Sequence, residues 1–366
     1  MIDPRAFLQS WTADANASSL RAAERFLAPA NAHRRYVMGR NEHAAALDAA
    51  IGVVGFIDDF AGDAHEWCGK PVLTTSDAPA DALIVHGVFS QKPQSAWRSL
   101  SAARGESALC YASLLHVAPS LVPLPNFVSE MRDDVERNPD GWRTLYESLE
   151  DETSRCVFRD LFRYRLTGDI SFMAGYEWNV GEQYFDAVAR TGDAPVFVDA
   201  GGFDGDTAEA FCAHYPNYRR VYVFEPSPEN MHSARARLSR HSNIVFDQRG
   251  LGAVAGRVRF EPANGSSSAI SESGSAEIEI VTIDEAVMEP ASFIKMDIEG
   301  GEYDGLRGAA GQIEAHAPTL ALAVYHSARD FWRLHAFTKQ LRADYRLYLR
   351  HYTEGWAESV LYLVAR

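Results

Sequence analysis

Cysteine is scarce in this sequence. Only Cys68, Cys110, Cys156 and Cys212 occur among 366 residues, with no C-x-x-C pair and no short framework of spacings. That excludes a disulfide-stapled scaffold and a cysteine-rich zinc site, and leaves reduced, buried thiols as the expectation. Positive charge is also short: 35 Lys and Arg stand against 50 Asp and Glu, a net of −15, and no dense basic tract interrupts the deficit. A nucleic-acid partner is therefore not expected. Runs of about 18 apolar residues, the length a membrane span needs, are missing. The opening stretch "MIDPRAFLQSWTADANASSLRAAERFLAP" lacks a continuous apolar core, so the chain reads as soluble, untargeted and cytoplasmic. No long-period internal repeat is evident, which sets solenoid and propeller architectures aside.

What is present is ordinary globular composition, 46% hydrophobic and 23% charged. At about 100–200 residues per domain, the length suggests two or three domains. After a helical lead-in over residues 1–30, "RRYVMGRNEH", "AIGVVGFIDDF", "GKPVL" and "ALIVHGVF" are apolar runs separated by helical or polar stretches. They read as a small Rossmann-like α/β module within residues 1–115. Residues 116–193 are richer in long charged side chains, with apolar positions at helical spacing in "WRTLYESLEDETSRCVFRDLFRYRL", and read as a helical connector.

From residue 194 to 366 strands and helices alternate. "VFVDA", "VYVFEP", "IVFDQRG", "RVRFEP", "EIEIVTID", "FIKMDIEG" and "LALAVYHS" read as strands, with helices between most of them. This order argues for a doubly wound, largely parallel sheet. The last two strands, "YRLYLRHY" and "ESVLYLVAR", are joined by "TEGWA", too short for a crossover, so they are expected to form an antiparallel hairpin at the sheet end. The Ser/Gly-rich run "GSSSAISESGSA", residues 265–276, reads as a surface connection.

The chemistry concentrates in "VFVDAGGFDGDT", residues 196–207. A glycine-rich turn behind a first strand lets a ligand approach the backbone, and the next helix presents free amides. Dinucleotide and nucleoside-triphosphate sites use such turns for phosphates, yet neither G-x-G-x-x-G nor G-x-x-x-x-G-K-[ST] is present here, and Asp199, Asp204 and Asp206 crowd the loop. Acidity of that kind disfavours pyrophosphate and suits a cationic ligand such as S-adenosylmethionine, which carries a sulfonium and an ammonium. Glu225, ending the next strand in "VYVFEPSPEN", sits where a carboxylate accepts hydrogen bonds from ribose hydroxyls. An NAD site shares that feature, and the bland alternatives are a helix-capping turn over residues 204–207 and a solvated carboxylate at Glu225.

Residues 184–366 resemble the FkbM-type methyltransferases, a branch of the class I S-adenosylmethionine-dependent fold. The resemblance rests on "VFVDAGGFDGDT", "VYVFEPSPEN", "FIKMDIEGGEYDGLRGA" and "YRLYLRHYTEGWAESVLYLV". It implies that Asp199, Gly201 and Gly205 shape the cofactor loop, that Glu225 holds the ribose, and that Asp297 lies beside the methyl-transfer centre; Gly202, Asp204 and Ser227, in the same runs, are also expected to bind the cofactor. Phe203 stands where the usual acidic-x-G-x-G-x-G pattern has its middle glycine, and Gly301 where an alanine is common. "RRYVMGRNEH" with "VVGFIDDF" and "GKPVL" is similar to the small nucleotide-sugar-binding domain of some sugar acetyltransferases, in which Gly39 would turn at a phosphate and Asp58 or Asp59 would meet a hydroxyl.

A hydroxyl acceptor is a poor nucleophile at neutral pH and needs a base or a metal. Asp297, Glu299 and His326 are the expected catalytic residues, at the mouths of two strands. Charge at a helix start is the expectation for Glu302, and a structural ion pair for Lys295. Tyr184 is a candidate cover for the cofactor, and Phe185 a packing residue. A divalent metal is compatible with the carboxylates but is left unassigned. The expected activity is O-methylation of a sugar hydroxyl, in a surface polysaccharide or glycosylated metabolite. An NAD-dependent oxidoreductase of nucleotide sugars and a non-catalytic nucleotide-sugar-binding protein stay open. The N-terminal module serves either a sugar nucleotide or packing and self-association into a homo-oligomer.

Overall fold

The computed structural model describes residues 3–13, 15–261, 269–270 and 276–365. The Ser/Gly-rich run therefore lies outside the described residues, apart from residues 269–270 and 276. The chain divides into two compact units, one of residues 1–137, 158–179 and 352–357, the other of residues 138–157, 180–351 and 358–366. Residues 116–193 are thus shared out rather than forming a body of their own, with the helix Asn126–Arg137 in the first unit and Pro139–Ser148 in the second. Among the described residues no helix is long and apolar enough to cross a membrane.

The first unit is built on six strands: β1 Arg35–Met38, β2 Gly55–Ile57, β3 Glu66–Trp67, β4 Lys70–Leu73, β5 Leu83–His86 and β6 Ala108–Cys110. They lie in the order β3-β4-β2-β1-β5-β6. All neighbours are parallel except β3 and β4. Both faces of β1 and β5 are buried, as crossover helices require, and Tyr36, Met38, Ile57, Ile84 and Leu100 pack together in the core. The apolar runs flagged β1, β2, β4 and β5. The two-residue β3 and three-residue β6 lie outside those runs.

The second unit contains β7 Val196–Ala200, β8 Arg220–Phe224, β9 Ile244–Asp247, β10 Gly250–Leu251, β11 Gly256–Glu261, β12 Ala269–Ile270, β13 Ala276–Val281, β14 Phe293–Met296, β15 Thr319–Ala323, β16 Tyr345–His351 and β17 Ser359–Ala365. Seven of them form one sheet in the order β16-β17-β15-β14-β7-β8-β9, parallel from β15 to β9 and antiparallel at the terminal hairpin. This is the Rossmann-like class I architecture read from the alternation of strands and helices. The strands β10–β13 depart from it by forming a separate four-stranded sheet. No crossover helix separates them among the described residues, and antiparallel pairing of β11 with β13 satisfies their backbone groups locally.

The chain order reverses between β7 and β14, because β8 and β9 lie to one side and β15 to the other. Ligands of open α/β sheets bind at such a switch point, beyond the carboxyl ends of the strands. The core beneath it is aromatic: Phe197 stacks on Phe211 with centroids 4.1 Å apart, and Phe293 and Phe185 pack around them. Phe185 is the packing residue its sequence position suggested.

Candidate active site

Register sets the first contact of the site. Asp199 and Lys295 are directly opposite one another on β7 and β14. Both are buried, and Lys295 Nζ lies 3.0 Å from Asp199 Oδ1 and donates to the Gly201 carbonyl at 2.6 Å. Burial pushes the Asp199 carboxyl up to about 6 against the pull of Lys295. The lysine resists burial because Asp199 and Asp297 hold its charge, and its pKa is raised. Above pH 6 the pair is ionised.

The glycine turn follows β7. Gly201 has φ +80°, and a Cβ there would stand 1.8 Å from the Asp297 carbonyl oxygen. At Gly202 a Cβ would come within 2.4 Å of Val223 Cγ1. These glycines are required by the protein's own strand ends, which close on one another where β7 meets β14 and β8. Gly205 caps the helix Asp206–His214 with φ +86°. Phe203, at the departing position, also has positive φ, 42°, a conformation that costs a non-glycine residue about 1–3 kcal/mol. Its amide is held by Glu225 Oε2 at 3.0 Å.

Glu225 is buried at the end of β8. Its Oε1 accepts from Ser227 N at 2.8 Å and, at a longer 3.4 Å, from Asn230 Nδ2. Burial raises its pKa, opposed by these amides. A carboxylate offers about four acceptor positions, so Glu225 keeps at least one for a ligand hydroxyl, and a second where Asn230 gives way. Ser227 is chiefly the N-cap of the helix Pro228–Arg237. Asp204 turns Oδ2 to the Arg237 guanidinium, which Glu209 also meets, and its Oδ1 accepts from Asp206 N at 3.2 Å, so both oxygens are engaged. Asp206 accepts from Thr207 N at the helix start.

The richest cluster lies beyond β14 and β15. Asp297 accepts from the Tyr184 hydroxyl at 2.6 Å on Oδ2, and the Tyr325 hydroxyl lies across both oxygens, 3.3 Å from Oδ2 and 3.4 Å from Oδ1. His326 Nε2 lies 3.5 Å from Asp297 Oδ1 and 3.4 Å from Glu299 Oε2, while its Nδ1 is 2.9 Å from Glu302 Oε1. Burial works against a charged imidazole here, but Glu299 and Glu302 outweigh it and raise the His326 pKa well above its usual value. Glu299 sits in a tight turn with φ 54°. Glu302 is fully buried, and its Oε1 turns back to accept from Ile298 N at 2.9 Å and Gly300 N at 3.3 Å. It thus closes the turn from inside rather than standing as exposed charge at the helix start. Asp297, Glu302 and His326 each offer a donor atom within 4.8 Å of the others, a set able to hold a metal ion.

Three members of this cluster were not assigned to it from sequence. Tyr184 was read as a cover but is a buried hydrogen-bond donor, with φ 71° and its amide held by the Tyr362 hydroxyl. Tyr325 precedes His326, and Glu358 completes the acidic rim, its pKa raised by burial and by Asp297. The signal for Glu358 lies in the antiparallel pairing of β17 with β15: Ala323 stands opposite Val360, and the same register carried beyond the strand ends brings Tyr325 and Glu358 together.

Residues 186–353 match the methyltransferase FkbM domain. Along 99% of the chain and 100% of its own length, the structure is similar to a methyltransferase FkbM from Methylobacillus flagellatus KT, with a TM-score of 0.75 and 23% identity, which speaks to the shared fold. Partial likenesses include a putative rRNA methylase from Clostridium thermocellum, with 8% identity, 52% of this chain, 98% of that one and a TM-score of 0.37. Another is an Aeropyrum pernix fibrillarin with natively bound S-adenosyl-L-methionine, with 11% identity, 47% of this chain, 67% of that one and a TM-score of 0.30. No curated protein matches the sequence.

Proposed function

We propose that this chain, which carries a methyltransferase FkbM domain over residues 186–353, is an S-adenosylmethionine-dependent O-methyltransferase acting on a sugar hydroxyl. The observation that carries the reading is the charge at the switch point. Asp297, Glu299, Glu302 and Glu358 gather beside the glycine turn, and the nearby cations, Lys295 and Arg237, are each engaged by carboxylates. Such an edge repels a pyrophosphate and attracts a sulfonium or ammonium. That disfavours the NAD-dependent alternative.

The residues fit the cofactor's parts. Glu225 is placed for a ribose hydroxyl, Gly201, Gly202 and Gly205 keep the turn low, and Asp199 with the acidic rim favours the cationic end. Asp204 and Ser227 act on the loop and helix around it rather than through free carboxylate or hydroxyl groups.

In the transfer, an acceptor oxygen lone pair attacks the methyl carbon, the carbon–sulfur bond breaks with its electrons staying on sulfur, and the hydroxyl proton leaves to a base. Positioning supplies much of the rate. Asp297 is the favoured base: Tyr184 fixes its Oδ2, while Oδ1, with Tyr325 at 3.4 Å and His326 Nε2 at 3.5 Å, is the less firmly held oxygen and would take the acceptor proton. His326, held protonated by its carboxylates, orients rather than abstracts in the metal-free protein, and Glu299 maintains that protonation. The sugar assignment draws on the sequence similarity of the first unit to nucleotide-sugar-binding domains. In the structure Asp58 pairs with Arg40 at 2.6 Å, and Asp59 accepts from the Thr75 hydroxyl at 2.8 Å. Turnover of a panel of glycans and nucleotide sugars with radiolabelled S-adenosylmethionine tests the acceptor class. Label on simple catechols or amines alone would replace the sugar reading.

A further inference from the structure

We propose that Asp297, Glu302 and His326, with Glu299 beside them, form a site for one divalent cation of the manganese type, combining carboxylate oxygens and one imidazole nitrogen. Its presence is argued from the donor atoms alone, and only its use in catalysis rests on the methyltransferase reading.

The first observation is spacing. Octahedral metal–oxygen bonds of about 2.1 Å place neighbouring donors about 3 Å apart and opposite ones about 4.2 Å apart. One donor from each of Asp297, Glu302 and His326 falls within 4.8 Å of the others, and Glu299 Oε2 and Asp297 Oδ1 both lie about as close to His326 Nε2 as a shared cation requires, at 3.4 and 3.5 Å. Glu302 Oε1 faces the other ring nitrogen, Nδ1, at 2.9 Å, so the imidazole must turn for one nitrogen to share a cation with all the carboxylates.

The second observation is independent of spacing. Glu302 is fully buried, yet its Oε2 has no hydrogen-bond donor among the described residues. Its Oε1 is tied to two backbone amides, so the carboxylate cannot swing away to find one. A buried, unpaired carboxylate oxygen is costly, and in a folded protein it calls for a partner. Neither ring nitrogen of His326 makes an aligned hydrogen bond, although three carboxylates stand within ion-pair distance.

The third is the support around the donors. Tyr184 holds Asp297 through Oδ2 and Tyr325 lies across both of its oxygens, with Oδ1 3.5 Å from His326 Nε2, the kind of arrangement by which outer groups orient a ligating carboxylate. Mixed oxygen and imidazole donors suit manganese or zinc better than magnesium alone. A cation here would lower the pKa of a coordinated acceptor hydroxyl, doing for Asp297 what a carboxylate base does poorly by itself.

The test is direct binding. Full-length protein is stripped with a chelator and titrated with Mn²⁺ alone, following free Mn²⁺ by electron paramagnetic resonance. One equivalent per chain is expected, with at least tenfold weaker binding in Glu302→Gln and in Asp297→Asn, and unchanged binding in Glu229→Gln on an exposed helix. Glu302→Gln keeps an oxygen for the two amides, and circular dichroism verifies its fold. If it does not fold, His326→Gln takes its place with the same expected loss. Absence of saturable binding, or equal affinity in wild type and variants, overturns the site. Calorimetry with S-adenosylmethionine on the same stripped protein keeps the two claims apart: cofactor binding without Mn²⁺ binding removes the metal site only.

Discussion

Tyr184 donates its hydroxyl to Asp297 Oδ2 at 2.6 Å, linking a residue before the first strand of the sheet to the turn after β14. Hydrogen bonds to a charged acceptor are worth about 1.5–3 kcal/mol. Removing this one in Tyr184→Phe is expected to slow turnover roughly tenfold or more while leaving S-adenosylmethionine affinity within a few-fold. Steady-state and single-turnover kinetics measure it. Unchanged turnover would mean that Asp297 does not depend on this contact.

The Asp199–Lys295 pair makes a stability prediction. Breaking a buried ion pair by removing one partner costs about 3–5 kcal/mol, because the other charge is left in the interior. Lys295→Met is therefore expected to lower stability by about that amount, and Asp199→Leu with Lys295→Met to recover part of it. Urea unfolding of both variants gives the comparison, and a double variant no more stable than the single one contradicts the pairing.

At Gly201 the expectation is steric. An alanine would place its Cβ 1.8 Å from the Asp297 carbonyl and at φ +80°, so the strand ends must separate. The backbone conformation alone costs about 1–3 kcal/mol. Gly201→Ala should fold less stably and lose both cofactor affinity and turnover, measured by thermal unfolding and calorimetry. A variant with normal binding would show that the turn can open at little cost.

The pH dependence follows from Asp199. Its carboxyl, normally near 3.8, is pushed up to about 6, so it is neutral below that pH and charged above it. Raised in the fold, it adds stability fully below about pH 4, and that contribution is lost as the pH rises through about 6. Cofactor attraction runs the other way. As pH falls through 6 Asp199 takes a proton while Lys295 stays charged, so binding of the cationic S-adenosylmethionine should weaken more than binding of S-adenosylhomocysteine, which has no sulfonium. Calorimetry at pH 7.5 and pH 5 compares them, and parallel changes for the two ligands would contradict a charge-based preference.

Much of this edge was legible because strand ends are legible. Apolar runs ending in Asp199, Glu225, Asp297 and His326 place those residues at carboxyl ends of parallel strands, and parallel order carries them to one edge of the sheet. Tyr184 and Glu358 were not assigned there because their positions depend on chain paths that no local period encodes. The first lies in an irregular segment with positive φ, and the second requires the hairpin register. Glu302 was legible as a charge in the first turn of the helix Glu302–Arg307, but its burial was not: such a charge is ordinarily solvated, and only the tight turn over residues 297–301, with its positive φ at Glu299 and Gly300, draws it inward. Likewise β11 and β13, read as strands among the others, pair in a second sheet together with the two-residue β10 and β12, which no local period marked.

The central claim is that the acidic switch point binds S-adenosylmethionine. Calorimetric titration of the purified chain, in separate runs with S-adenosylmethionine, S-adenosylhomocysteine and NAD⁺, tests it most directly, with Glu225→Gln as the variant. Saturable binding of the first two and not the third, weakened in the variant, is the predicted result. Binding of NAD⁺ alone, or equal affinities in wild type and Glu225→Gln, would contradict it.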